Sequence, residues 1–264
     1  YHPDSPYKVY RQDIWWGDKW DPKSYGKDID WNRPFLEQFK ELMLEVPHAS
    51  LATAYSTMIR SDYCNAASEC KDCYLCFRIT GGEDSAYLNT IVDSRQSFDC
   101  SFLNHSELCY GSVNVNKCYQ VFFSQNLTEC HSVWFSRDLV GCSDCVGCIN
   151  LRMKQYCIFN KQYSREEYQK KLKEFDFGTL ENIKSFQAQA EDFIKTEPRR
   201  QFHGVKNINV LGEYISNSKN VHDSYLLANG LDLRYCQFLK NGPASSSYDW
   251  SFFGDNSELM YEAC

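Results

Sequence analysis

The sequence predicts a mainly β protein: a parallel β-solenoid (β-helix) with an internal duplication, an N-terminal aromatic and helical cap, and a helical insert. A short Phe-to-Cys motif recurs at a fixed interval, and a block of about fifty residues occurs twice at an offset near 150. Twelve of the 14 cysteines lie between Cys64 and Cys157, where the short motif recurs. Fixed periodicity of this kind indicates stacked coils.

The composition is that of a globular protein and excludes some functions. Hydrophobic residues make up 43% of the 264 residues, charged residues make up 24%, and the formal net charge is −7. No run approaches the roughly 18 consecutive apolar residues of a membrane span. A nucleic-acid backbone is gripped by clustered Lys and Arg, so nucleic-acid binding is not expected, although an acidic mimic of nucleic acid fits the charge. We expect a cytoplasmic protein.

Residues 1–60 predict an aromatic-rich cap with one helix. Pro34 suits the first turn of a helix that runs to Val46, and Leu36, Phe39 and Met43 recur at helical spacing. A solenoid needs such a cap because its first coil exposes apolar core and unpaired strand edges. The tryptophans of this segment are also candidates for stacking on bases or sugar rings. They are Trp15, Trp16, Trp20 and Trp31.

Residues 61–163 predict the first, Cys-rich copy of the solenoid. Phe123–Cys130 and Phe135–Cys142 both read F-S-x-x-L-x-x-C and lie twelve residues apart. Phe102–Cys109 has the same Phe-to-Cys interval and lies further upstream of the Phe123 motif. These spacings predict a coil of roughly 20–25 residues with two or three short strands.

Residues 201–264 predict an incomplete second copy. Asp72-Cys-Tyr-Leu-Cys76 matches Asp223-Ser-Tyr-Leu-Leu227, and Ser106-Glu-Leu-Cys-Tyr110 matches Ser257-Glu-Leu-Met-Tyr261. We expect the natural protein to continue and to complete this copy. A recurrent Asp predicts a row of turns, with cation or sugar binding as the alternative. Its members are Asp72, Asp99, Asp144, Asp223 and Asp249.

Residues 164–200 predict a helical insert between the copies. Ser164-Arg-Glu-Glu167 is a capping box, and its helix should reach about Phe175. A second helix should begin at Thr179 and end before Pro198. Its apolar face consists of Leu180, Ile183, Phe186, Ala190 and Phe193. Such an amphipathic pair predicts packing on its own solenoid, with docking on a partner as the alternative.

The cysteines admit three interpretations: metal ligands, disulfides, or a buried ladder of small apolar side chains. Two C-x-x-C-x-x-C triplets have the spacing of ligands to zinc or an iron–sulfur cluster. They are Cys70, Cys73 and Cys76, and Cys142, Cys145 and Cys148. The first triplet corresponds to Val221, Ser224 and Leu227 in the second copy, which replace packed side chains but not metal ligands. We therefore expect a core ladder and no cofactor, with zinc as the alternative.

A search for catalytic motifs finds no G-x-G-x-x-G, Walker, H-E-x-x-H or G-x-S-x-G pattern. The leading expectation is a non-enzymatic scaffold that binds a protein partner or itself, because elongated solenoid faces suit that role. The alternatives are a metal-binding protein that uses the Cys triplets and a carbohydrate-active β-helix enzyme. A cleft lined by carboxylates would favour the enzyme, whereas an apolar or aromatic face would favour the binding protein.

Three stretches carry a resemblance to known sequences: Tyr1-His-Pro-Asp-Ser-Pro-Tyr-Lys-Val-Tyr10, Trp15-Trp-Gly-Asp-Lys-Trp-Asp-Pro22 and Leu151-Arg-Met-Lys-Gln-Tyr-Cys-Ile-Phe-Asn-Lys-Gln-Tyr163. Over nearly its whole length the chain resembles a Cys-rich repeat family of candidate-phylum bacteria. Some members bear the label CaiB/BaiF, the name of a family of CoA transferases, and we do not expect CoA-transfer chemistry here. The resemblance implies no established activity or site residues. It also implies a further N-terminal Cys-containing segment that would bind zinc.

Overall fold

A computed structural model describes residues 4–239, 242–252 and 256–263. The chain divides into two compact units, residues 1–197 and 198–264, so the predicted cap, first copy and most of the insert fall in one unit. The fold is mainly β, with large parallel sheets, as predicted. Within the described residues, no helix is both long and apolar enough to cross a membrane.

The first unit begins with an aromatic leader that contains one long helix. Its elements are β1 (Val9–Tyr10), α1 (Gln12–Trp15), a 3₁₀ turn (Pro22–Tyr25), α2 (Phe35–Glu45), β2 (His48–Ala49) and a second 3₁₀ turn (Tyr55–Thr57). Strand β1 pairs in parallel with β2. Helix α2 has Pro34 as its N-cap and Val46 as its C-cap, which confirms the helix predicted there.

The end of the leader pairs with the first strands of the following sheet. Ala54 N donates to Ala67 O at 2.9 Å, and Ile59 N donates to Cys70 O at 2.8 Å. Asn65 Oδ1 accepts from Ala52 N at 2.8 Å. Backbone groups at the start of the sheet are thereby paired, which is the arrangement that a cap requires.

A 14-stranded sheet of short strands fills most of the first unit. Its strands are β3 (Asn65–Ser68), β4 (Lys71–Tyr74), β5 (Phe77–Ala86), β6 (Asn89–Arg95), β7 (Ser101–Asn104), β8 (Glu107–Tyr110), β9 (Val113–Asn116), β10 (Tyr119–Phe122), β11 (Gln125–Thr128), β12 (His131–Trp134), β13 (Arg137–Val140), β14 (Ser143–Val146), β15 (Gln155–Ile158) and β16 (Lys161–Gln162). Strands β15 and β16 pair antiparallel, and the other pairs are parallel.

Parallel strand pairs in this sheet share one constant, twelve-residue register. Ser101 of β7 pairs with Val113 of β9, and Glu107 of β8 pairs with Tyr119 of β10. The longer coil predicted from the sequence is therefore wrong. The spacing between the two F-S-x-x-L-x-x-C motifs is the actual register.

Burial and backbone conformation both repeat every three residues. Every third residue from Ser61 to Cys148 is buried. From Ala66 to Gly147, the residue before each buried position has a positive φ. The left-handed conformation is most strained for β-branched side chains. Thr90 is accordingly the one β-branched residue at these positive-φ positions. The predicted Asp row lies at such positions, with φ between 50° and 55°.

The buried residues form four columns, and successive members of a column follow the register of the paired strands. The aliphatic column contains Ala67, Ile79, Ile91, Leu103, Val115, Leu127 and Leu139. The three small columns are mostly Ser, Cys and Val. They contain Ser61, Cys73, Ser85, Ser97, Cys109, Val121, Val133, Cys145 and Cys157; Cys64, Cys76, Leu88, Cys100, Ser112, Ser124, Ser136 and Cys148; and Cys70, Gly82, Ser94, Ser106, Cys118, Cys130 and Cys142. Each repeat of the register thus holds about one large side chain.

Two helices follow the sheet and pack on it. They are α3 (Arg165–Phe175) and α4 (Leu180–Thr196). Ser164 Oγ accepts from Glu167 N at 3.2 Å and Glu167 Oε2 accepts from Ser164 N at 3.1 Å, which confirms the predicted capping box. Tyr168, Phe186 and Ala190 are buried in a cluster with sheet residues. The insert therefore packs on its own unit, as predicted.

The second unit contains a seven-stranded sheet with a less regular register. Its strands are β17 (Gly204–Val205), β18 (Ile208–Ser216), β19 (Lys219–Ala228), β20 (Gly230–Arg234), β21 (Ala244–Trp250), β22 (Ser257–Glu258) and β23 (Tyr261–Ala263). Paired residues are 11 apart at Ile208 and Lys219, 12 apart at Lys219 and Leu231, and 14 apart at Gly230 and Ala244. Ile215, Ser224 and Leu227 are buried, as are their sequence matches Cys64, Cys73 and Cys76.

Candidate binding surface and thiol groups

Serines of the small columns form hydrogen bonds with buried backbone amides twelve residues further along the chain. Ser112 Oγ accepts from Ser124 N at 3.2 Å and donates to Tyr110 O at 3.0 Å. Ser124 Oγ repeats the pattern, accepting from Ser136 N at 3.0 Å and donating to Phe122 O at 2.8 Å. A buried amide without a partner costs about 1–3 kcal/mol, so a small hydroxyl at these positions stabilises the fold.

Cysteines occupy the same positions and make the same bonds. Cys118 Sγ accepts from Cys130 N at 3.3 Å and donates to Asn116 O at 3.2 Å. Cys130 Sγ accepts from Cys142 N at 3.4 Å. The thiol therefore substitutes for the hydroxyl of serine in the columns. Cys73 of the first unit matches Ser224 of the second, so a thiol and a hydroxyl also replace each other between the two units.

The cysteines within the described residues are buried and unbridged, and Cys264 lies outside those residues. The six predicted metal ligands are between 0 and 3% exposed: Cys70, Cys73, Cys76, Cys142, Cys145 and Cys148. Residues at i and i+3 point inward from neighbouring columns, as the sequence predicted. Within the described residues, no group of three or more His, Cys, Asp or Glu is arranged to hold a metal ion.

Each triplet has a fourth thiol that the sequence analysis missed. The thiol of Cys64 interacts electrostatically with that of Cys76, Cys76 with Cys73, and Cys73 with Cys70. In the second group, Cys145 interacts with both Cys148 and Cys157. The signal for the fourth thiols was the twelve-residue spacing of Cys64 from Cys76 and of Cys157 from Cys145.

Burial raises the pKa of several column thiols, whereas interaction with a neighbouring thiol lowers the pKa of Cys64 and lowers that of Cys130 to about 7. Desolvation raises the pKa of Cys100 to about 12, of Cys109 to about 11 and of Cys157 to about 12. The thiolate, not the thiol, is the form that binds a metal ion. Desolvation therefore opposes the ionisation that a metal site in these columns would require.

The tryptophans proposed for ligand stacking do not form one platform. Trp15 and Trp20 lie together, with ring centroids 4.7 Å apart, and Trp20 Nε1 donates to Trp15 O at 3.0 Å. Trp20 also meets Tyr10 edge to face. Trp16 is 62% exposed and donates from Nε1 to Gln12, whereas Trp31 is 87% exposed. The Trp15–Trp20 pair is thus part of the packing of the leader.

A charged recess of about 500 Å³ lies on one face of the first sheet. Its carboxylates are paired with basic side chains one repeat of the register away. Arg95 Nε lies 2.9 Å from Glu107 Oε2, and His105 Nδ1 lies 3.4 Å from Asp93 Oδ2. Glu83 is paired with Lys71. These pairs stabilise adjacent parallel strands, so the recess has the character of a ladder of ion pairs.

A row of exposed aromatic residues follows another face of the same sheet, and we name it the aromatic stripe. It consists of Tyr63, Tyr74, Tyr87, Phe98 and Tyr110, which are 41–64% exposed. Ring centroids are 5.5 Å apart between Tyr63 and Tyr74 and 5.9 Å apart between Tyr74 and Tyr87. A contiguous exposed aromatic surface of this kind is typical of an interaction site.

The same row continues under the helical insert, and we name this part the covered row: Phe122, Phe123, Trp134 and Phe135. Tyr110 meets Phe123 at 5.3 Å, which joins the two parts. Phe135 packs against Phe186 of α4 at 5.2 Å, and Trp134 stacks on Phe177 at 5.2 Å. One row of aromatic residues is therefore covered by helices at one end and exposed at the other.

Comparisons with known proteins do not extend this description. The chain matches no protein-family model and no curated protein at a significant level.

Proposed function

We propose that this chain is a non-enzymatic parallel β-solenoid that acts as a scaffold and binds a protein partner along the aromatic stripe. The solenoid is supported by the connection between β7 and β9, which contains β8, a strand of another parallel ladder. A chain that alternates regularly between two parallel ladders must wind continuously in one sense.

The contrast between the two parts of the aromatic row carries the binding proposal. In the covered row, Phe135 is buried beneath an amphipathic helix that contributes Phe186 and Ala190. The aromatic stripe presents the same kind of side chain without a cover. The partner it fits is an amphipathic helix with aromatic and aliphatic residues on one face, docked as helices dock in apolar grooves.

A peptide with the sequence of residues 176–197, which includes α4, provides a direct test. Labelled with fluorescein and titrated with the whole chain, it should show a saturable rise in anisotropy. The double substitution Tyr74→Glu and Phe98→Glu should weaken its affinity at least tenfold, because charge replaces exposed apolar surface. The matched control is Val92→Glu, at a similarly exposed apolar residue outside the stripe.

Two outcomes of that titration would overturn the proposal. One is the absence of saturable binding to the wild-type chain. The other is equal binding by the wild-type chain and the stripe variant, since the peptide would then bind elsewhere. Circular dichroism spectra of both variants check that the sheets remain folded.

Metal binding through the two groups of thiols is the second candidate function. It is favoured by the C-x-x-C-x-x-C spacing and by the pairwise interactions of Cys64, Cys70, Cys73 and Cys76 with neighbouring thiols. Elemental analysis with a count of titratable thiols tests it. Stoichiometric zinc or iron with protected thiols would support metal binding, whereas fully titratable thiols in the metal-free, unfolded chain and no bound metal would support the structural columns.

A further inference from the structure

We infer that the helix docked on the aromatic stripe is α2 of a second copy of this chain, so that the protein self-associates. This inference rests on the proposed function, because it names the partner of the same surface. It follows from the exposure of α2, from the contacts that orient α2, and from the spacing of its apolar residues.

Helix α2 carries an apolar face that none of the described residues covers. Phe35, Leu36, Phe39, Met43 and Leu44 are 38–75% exposed, and no residue of the helix is buried. Phe35 and Phe39 stack on each other with centroids 5.9 Å apart. An amphipathic helix of this kind is normally stabilised by burying its apolar face, so α2 lacks the contact that usually holds such a helix.

Polar contacts orient that face away from its own unit. Glu41 accepts from Arg33 through both carboxylate oxygens, at 3.3 and 2.5 Å. Gln38 bonds to both the N and the O of Asp30, each at 2.9 Å. His48 Nε2 lies 2.8 Å from Met43 O at the end of the helix. These bonds hold the polar side of α2 against the leader, so a second copy has to supply the helix that covers the stripe.

The apolar residues of α2 repeat the spacing of the helix that covers the rest of the row. Leu36, Phe39 and Met43 lie at i, i+3 and i+7. Ile183, Phe186 and Ala190 of α4 have the same spacing, and Phe186 is the residue that meets Phe135. Helix α2 therefore offers the aromatic stripe the same pattern of contacts that the covered row already receives.

Each copy carries one α2 and one stripe, which sets the expected stoichiometry. Two copies that exchange their helices cover both stripes, whereas an open chain leaves one of each surface exposed at its ends. We therefore expect a dimer. Each copy has a formal charge of −7, so added salt should strengthen association by screening the repulsion between copies.

Sedimentation equilibrium of the full chain tests the inference. Over a concentration series, the apparent mass should rise from that of a monomer, 30.9 kDa, to twice that value. The helix variant Leu36→Glu with Phe39→Glu and the stripe variant Tyr74→Glu with Phe98→Glu should each raise the dissociation constant at least tenfold. The control Ile29→Glu, at an exposed apolar residue of the leader outside α2, should leave it unchanged.

A mixture of the two variants separates this contact from any other. The helix variant keeps an intact stripe and the stripe variant keeps an intact α2, so the mixture should form a heterodimer that neither variant forms alone. A wild-type chain that stays monomeric, or variants that dimerise as the wild type does, would overturn the inference. If that monomer still binds the peptide of residues 176–197, the proposed function stands and only the identity of the partner is wrong.

Discussion

The sheets of the two units differ in the regularity of their registers. Strand pairs in the first sheet keep one constant offset, whereas offsets in the second sheet run from 11 to 14. The offset rises from 12 between Tyr225 and Gln237 to 14 between Gly230 and Ala244, so the two extra residues lie between Gln237 and Ala244. The first sheet keeps its offset even where the buried residue is large, as at Leu88 between Cys76 and Cys100. The irregular register of the second sheet therefore arises from extra residues between strands and not from the size of the buried side chains.

Deletions within the two sheets should produce the largest difference in stability between them. Removing residues 101–112 takes out one full repeat of the register and rejoins Cys100 to Val113, so that every later residue keeps its column. We expect cooperative unfolding with a modest loss of stability, as in other stacked structures. Removing residues 101–110 moves every later buried residue off its column, and we expect no folded first sheet. Circular dichroism and thermal denaturation distinguish the two outcomes.

The second sheet provides the matched control for the deletion. Gly230 pairs with Ala244 at an offset of 14, so removal of the twelve residues 230–241 puts Gly242 in the place of Gly230 and leaves the later strands out of register by two residues. We expect this deletion, equal in length to the removal of residues 101–112, to destabilise the second sheet strongly. Equal tolerance of the two deletions would contradict the idea that a constant offset is what makes the first sheet modular.

Alkaline pH should destabilise the Cys-rich first sheet more than the second. The pKa values of Cys100 and Cys109 are raised to about 12 and about 11 from 9.0 because burial opposes ionisation. A raised folded pKa means that the unfolded thiol ionises first. The stabilisation is therefore complete below pH 9.0 and is lost as the pH rises towards the folded pKa, at about 1.4 kcal/mol per pH unit for each such thiol.

Hydrogen exchange at pH 8 and pH 10, corrected for intrinsic rates, measures this difference. Protection should fall further in residues 61–160 than in residues 208–250, where Cys236 is the cysteine present. Cys109→Ser should reduce the loss in the first sheet by the contribution of one thiol. Equal losses of protection in the two sheets would show that the thiols do not control the pH response.

Substitution at a single serine should produce the smallest effect and sharpen the comparison of hydroxyl with thiol. Ser112→Ala removes the partner of Ser124 N, whereas Tyr110 O still accepts from Phe123 N, and we expect a loss of about 1–3 kcal/mol in the free energy of unfolding. Ser112→Cys keeps both bonds and should cost less. Ser224→Ala should cost a similar amount in the second sheet, because Ser224 Oγ accepts from Cys236 N at 3.1 Å. Urea denaturation provides these values.

The helices and the general class of the fold were predictable from the sequence. Ser164 and Glu167 form a local capping box whose geometry depends on no distant contact, and Pro34 similarly marks the start of α2. The twelve-residue register between paired strands was not predictable from the same evidence. Phe102 and Phe123 do not occupy equivalent positions in the register, so the interval between them does not equal the offset between paired strands. Buried positions accept Ser as readily as Leu, which hides the three-residue period from a hydrophobicity pattern.

The candidate surface was harder to predict than the thiols. Cys70 and Cys73 were correctly placed inward because their spacing of three equals the period of burial. The aromatic stripe alternates between two adjacent positions: Tyr74 follows Tyr63 by one position less than the register, and Tyr87 follows Tyr74 by one position more. No single period marks such a row, and the register of the strands is needed to see that its members are neighbours.

The short strand β16 has a consequence for how far the parallel ladder can extend. The exposed edge of a parallel ladder can pair with a further strand, from the same chain or from another. Strand β16 reverses direction and pairs antiparallel with β15 through Cys157 and Gln162. Lys161–Gln162 therefore covers the edge of β15 with an antiparallel strand, and a further parallel strand cannot pair with β15 at these residues.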